Sequence, residues 1–73
     1  MSREIWYTLY SENQGFIGDV TAGEAPDGAD ETDILDIIQD DLVAREDDWE
    51  GDRIWGIWRD YMIIPENEEG GLE

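Results

Sequence analysis

Apolar positions along the chain fall into three blocks of different period. Ile5-Trp6-Tyr7-Thr8-Leu9-Tyr10 is aromatic and β-branched, and polar Ser11-Glu12-Asn13-Gln14-Gly15 bounds it. Phe16-Ile17-Gly18-Asp19-Val20-Thr21 follows at once. Two such runs joined by a short glycine-containing loop predict a β-hairpin. Ala22 to Ala29 carries Gly23, Pro26 and Gly28 and predicts a loop.

The middle block has a helical period. Ile34, Leu35, Ile38 and Leu42 fall on one side at i, i+4 spacing, with Ile37 at the border, which predicts an amphipathic helix over Thr32 to Arg45. Asp30 or Thr32 can cap its first turn, where Glu31 and Asp33 also suit the positive end of the helix dipole. The opposite side shows Asp33, Asp36 and Asp40, and Asp47 if the helix runs on. Asp47 to Asp52 reads as an acidic turn closing at Gly51.

The third block, Ile54 to Ile64, is apolar on both parities, like a central strand buried on two faces. A competing helical stripe runs through Ile54, Trp55, Trp58, Tyr61 and Met62, but Gly56 and the surplus of Trp, Tyr and Ile favour strand. Pro65 ends the element. The order is therefore ββαβ: an α+β domain over residues 1–65, with a three-stranded antiparallel sheet and one amphipathic helix on one face. Residues 66–73 read as a loose acidic tail, with Leu72-Glu73 resembling a cloning remnant. Such a sheet has a second face that nothing in the chain covers. Trp and Tyr left there invite a partner or a homodimer.

Charge changes this picture. The 73 residues carry 21 acids, four arginines, no lysine and no histidine, a formal net charge of −17. Thirteen acids and one base (Arg45) lie between Glu24 and Asp52, whereas Arg53 to Pro65 holds one acid and two bases. Like charges on a small body oppose compaction. A chain this short buries only about 60% of its unfolded surface. Without cysteine there is no disulfide, so four tryptophans, three tyrosines and Phe16 must supply much of the burial. No apolar run approaches the roughly 18–20 residues of a membrane span. The first residues lack the basic-then-apolar order of a secretory signal. The expectation is a soluble cytoplasmic protein.

The inventory excludes most chemistry. Without His, Cys or Lys there is no Ser-His or Cys-His pair, no Schiff base and no zinc site on Cys or His. Close carboxylate pairs arise by chance among so many acids, so an enzyme is not expected. Asp27 to Asp33 and Asp47 to Asp52 could offer oxygens to a hard cation, but neither fits the EF-hand register. Counting from Asp27 puts Ala29 and Ile38 at ligand positions; counting from Asp48 puts Arg53 at the turn glycine and Arg59 at the bidentate acid. No metal and no cofactor is expected. Direct nucleic-acid binding fails on sign, because phosphate contact needs Lys and Arg.

A run of charge is ordinarily a solvated face, but the placement here has a local cost. Glu46, Asp47, Asp48, Glu50 and Asp52 sit at or just past the helix C-terminus, where the dipole disfavours an anion by roughly 0.3–1 kcal/mol. Rows of carboxylates a few ångströms apart resemble the charge spacing of a polyanion backbone. By size, by charge and by the rows Asp33/Asp36/Asp40 and Asp47/Asp48/Glu50/Asp52, the chain resembles the small acidic, usually phage-encoded inhibitors that imitate DNA, many anti-CRISPR proteins among them. These share no common fold, so the resemblance bears on function alone. It implies a basic nucleic-acid-binding protein as partner, met by Asp33, Asp36, Asp40, Glu46, Asp47, Asp48, Glu50 and Asp52, with Trp49 as an anchor among the acids.

Two other readings remain open. Absent lysine, Asp slightly above Glu and arginine as sole base resemble proteins of salt-loving organisms, although nine isoleucines against two valines and four alanines fit that group less well. An interaction module using the uncovered aromatic face is the other.

Overall fold

The computed structural model describes residues 2–65. Its elements run β1 (Arg3–Ser11), β2 (Gly15–Ala25), α1 (Glu31–Arg45), a single 3-10 turn (Glu46–Trp49), β3 (Ile54–Trp58) and β4 (Tyr61–Ile63). The class is α+β, with one helix on an antiparallel sheet, but the sheet has four strands in the order β2-β1-β3-β4. The expected single strand over Ile54 to Ile64 divides at Arg59-Asp60, and its halves pair as a hairpin with Trp58 opposite Tyr61 and Gly56 opposite Ile63. Arg59 there takes a left-handed backbone (φ 56°), usually a place for glycine or asparagine.

The first hairpin forms as its sequence predicts. Ser11 pairs with Gly15 across a three-residue loop, and Gly15 supplies the positive φ (79°) such a loop needs. The Ser11 hydroxyl, almost fully buried, accepts from the Gln14 amide at 2.9 Å, and so closes the turn from within. β2 continues from Ala22 to Ala25, where a loop was expected. Register shifts between Ile5/Trp6 and Leu9/Tyr10 let the strand pass two irregular points and still pair Ala25 with Arg3.

The alternation of β1 decides what the helix meets. Ile5, Tyr7 and Leu9 face inward and pack with Ala25, Ile54, Ile63 and the helix residues Ile34, Ile38 and Leu42. Leu35 and Ile37 flank this stripe at partial exposure. Gly56 lies beneath the Tyr7 ring: a Cβ there would sit 2.6 Å from Tyr7 Cδ2 and 3.4 Å from Leu42 Cδ1. The glycine is thus required by close packing, which explains its place in an otherwise β-branched and aromatic strand. β3 is central in the sheet, yet only one of its faces lies under the helix. Its other face, with Trp55 and Ile57, belongs to the open side.

Candidate functional site

α1 begins on a reciprocal cap. The Asp33 amide donates to Asp30 Oδ1 at 3.0 Å, and the Asp30 amide donates to Asp33 Oδ2 at 3.4 Å. From there the core stripe Ile34/Ile38/Leu42 and the acids Asp33, Asp36 and Asp40 diverge. At about 100° per residue the two rows point to nearly opposite sides of the helix. Asp36 and Asp40 are exposed, separated by roughly 6 Å of rise. The helix passes directly into the 3-10 turn, whose first residues are Glu46, Asp47 and Asp48. Asp47, Asp48 and Glu50 are exposed, and Glu46 is half-buried.

The nine expected site residues are therefore not equivalent. Asp36, Asp40, Asp47, Asp48 and Glu50 accept no hydrogen bond and form no ion pair among the described residues. Asp33 is engaged in the cap. Asp52 is engaged too: its Oδ1 accepts from the Asn13 amide at 3.2 Å and the Arg53 amide at 2.8 Å, tying the β1–β2 turn to the start of β3. Trp49 is half-buried and packs against the core, so only part of its ring is free to meet anything else.

The arginines do little to neutralise the exposed row. Arg45 Nε donates to Asp41 Oδ2 at 2.7 Å and its Nη2 to the Thr21 carbonyl at 3.3 Å, which holds it between the helix and β2. The same Asp41 oxygen accepts from the Tyr7 hydroxyl at 2.6 Å. Burial, and next the bond to Asp41, pushes the Tyr7 phenol well above the ordinary tyrosine range. Burial works most strongly against the Arg45 charge, but the hydrogen bond and charge of Asp41, together with Tyr7, outweigh it and leave the guanidinium's affinity for its proton raised. Arg59 lies 4.6 Å over the Trp58 ring and 3.9 Å from Glu31, whose other oxygen accepts from Tyr61 Oη at 2.9 Å. The Asp41 contact was legible only as an i, i+4 pair with Arg45. Its link to Tyr7, 34 positions away, has no local signal.

A shallow hollow of about 320 Å³ lies between α1 and β4 beside the acidic row, lined by Leu35, Asp36, Gln39, Tyr61, Met62, Ile63 and Ile64. It sets an unpaired carboxylate beside apolar side chains in a lining that is more polar than apolar. That suits the aliphatic stem and cationic head of a Lys or Arg from another molecule.

Acids on the open sheet side behave differently. Glu4 accepts from Trp6 Nε1 at 3.3 Å, Asp19 from the Thr8 hydroxyl at 2.9 Å, and Glu24 from the Ser2 hydroxyl at 3.0 Å. Around them the face is aromatic. Tyr10 stacks on Trp55 at 6.0 Å between centroids and meets Phe16 edge-on at 5.8 Å.

Among the described residues no cluster of three or more Asp or Glu is arranged to hold a metal ion. No helix among them is long and apolar enough to cross a membrane. No protein-family model, no curated protein and no solved structure matches the chain.

Proposed function

We propose that the chain is a non-catalytic binding protein whose acidic helix face imitates nucleic acid and blocks a Lys/Arg-lined groove of another protein. Its target class is a host defence or DNA-processing protein, as for the anti-CRISPR-like inhibitors it resembles. The observation that carries this reading is the row Asp36, Asp40, Asp47, Asp48 and Glu50, exposed and without partners among the described residues. No local stability explains it. Three acids open the 3-10 turn just past the negative end of α1, where each is disfavoured by roughly 0.3–1 kcal/mol. A basic groove would supply what the fold withholds. The hollow beside Asp36 offers such a groove's side chains a place to lie.

The test is competition. A basic nucleic-acid-binding target captured at about 0.1 M salt should be released by duplex DNA and by about 1 M NaCl, since screening at that strength cuts the interaction range to roughly 3 Å. Asp36→Lys with Asp40→Lys should abolish capture. Binding indifferent to salt, to DNA and to both reversals would rule the reading out.

A further inference from the structure

The sheet side opposite the helix carries a broad apolar surface, which meets the acidic row only at the β4 edge, where Met62 and Ile64 also line the hollow beside Asp36. Trp6, Phe16, Met62 and Ile64 are 50%, 66%, 61% and 57% exposed. β1 pairs Tyr10 with Phe16 on one side and with Trp55 on the other, and Ile57 pairs with Met62. These contacts make the apolar positions continuous across all four strands. Together they present on the order of 500–600 Å² of apolar side chain. The largest patch on an ordinary monomer is about 300–600 Å², and a standard interface takes about 800 Å² from each partner. The patch is thus at the upper limit for a free surface and supplies most of one partner's share of a stable interface.

We infer that this face is a homodimer interface: two copies stack their open sheet faces with the helices outward. Three observations select a second copy as the occupant. The first is charge. Two chains of −17 repel each other, and the sheet face is where that repulsion is least. Sheets about 10 Å apart with a helix layer outside each keep the two acidic rows on the order of 30–40 Å apart. That is several times the Debye length of about 8 Å at physiological salt. The second is the state of the acids bordering the face. Glu4, Asp19 and Glu24 each already accept a hydrogen bond from Trp6, Thr8 or Ser2, which offsets part of the cost of covering them, and Glu12 lies beside Arg53 at the rim. The third is the state of the edges. β2 is interrupted by two register shifts and β4 is three residues long, which disfavours edge-to-edge pairing and leaves the face as the available surface.

Sedimentation equilibrium from about 1 µM to about 1 mM tests this without any other partner, and so separates it from the fate of the acidic face. The expected mass is twice the 8.4 kDa chain, retained or strengthened at about 1 M NaCl because screening removes the residual repulsion. Phe16→Ser with Met62→Ser, both at exposed positions, should raise the dissociation constant at least ~30-fold with the far-UV spectrum unchanged. Trp6→Glu carries the same expectation independently. Asp36→Lys with Asp40→Lys should leave the dimer intact. A single-chain mass throughout would overturn the inference and leave the face to a different protein. A dimer indifferent to Phe16, Met62 and Trp6 would overturn it as well.

Discussion

The two broad surfaces of this domain treat their carboxylates in opposite ways. On the sheet side Glu4, Asp19 and Glu24 are each held by a donor from their own neighbourhood, while Glu12 at the turn has none among the described residues. On the helix side Asp36, Asp40, Asp47, Asp48 and Glu50 are held by nothing among the described residues. Composition alone makes both surfaces acidic. Only geometry separates charge that the fold uses from charge it merely carries. The carried charge is the part that an external partner can reward.

The two surfaces share one scaffold, so the largest effect should come from its centre. Ile38, wholly inaccessible between helix and sheet, should cost about 2–5 kcal/mol as Ile38→Ala in urea denaturation. For a domain of this size that is a large part of the total. A loss below about 1 kcal/mol would mean that the helix is not anchored as described.

Tyr7→Phe tests the tie between the scaffold and the inner acid Asp41. Losing a bond to a carboxylate should cost about 1.5–3 kcal/mol. It should also change the pH profile. The folded phenol holds its proton more tightly than the unfolded one, so the folded state binds more protons once pH passes the ordinary value of about 10. Stability from this group is complete below that pH and falls as pH climbs above it. Wild type should therefore lose its advantage over Tyr7→Phe in alkaline denaturation series. A constant difference from pH 7 to 11.5, or about that range, would contradict the assignment.

Charge reversals compare the surfaces directly. Asp36→Lys with Asp40→Lys should slow association with a basic target by about 10–30-fold at low salt, whereas Glu4→Lys with Glu24→Lys should change it by less than about 3-fold. Equal effects would mean that net charge, not a placed row, governs encounter.

The smallest expected effect has the opposite sign. Asp47→Asn with Asp48→Asn should stabilise the isolated domain by roughly 0.3–1 kcal/mol, because both acids follow the negative end of α1. The same measurement at about 0.1 M salt bears on the salt-loving alternative. A chain adapted to brine should be unfolded there, and this domain should not.

Much of this contrast could be read from the sequence because it depends on local periods. The i, i+4 stripe of Ile34, Ile38 and Leu42 fixed which side of α1 is buried, and by exclusion where Asp36 and Asp40 point. Position before the stripe offered Asp30 or Thr32 as cap, and the fold uses Asp30. The second hairpin was hidden because its turn, Arg59-Asp60, lacks glycine and asparagine and interrupts an apolar run with charges that equally suit an exposed strand position. Gly23 misled in the other direction: it signals a loop, yet β2 carries it at a positive φ of 130° within a paired strand. Asp52 looked like part of a free row because its partner, the Asn13 amide, is 39 positions away. Trp49 reads as an anchor among the acids, and those neighbours conceal its packing against the core.

Carboxyl footprinting of the chain bound to a basic target tests the central claim most directly, since it reads each acid separately. Carbodiimide labelling should fall at Asp36, Asp40, Asp47, Asp48 and Glu50 on binding, and stay unchanged at Glu4 and Glu24. Protection of Glu4 and Glu24 with the helix row still fully labelled would contradict it.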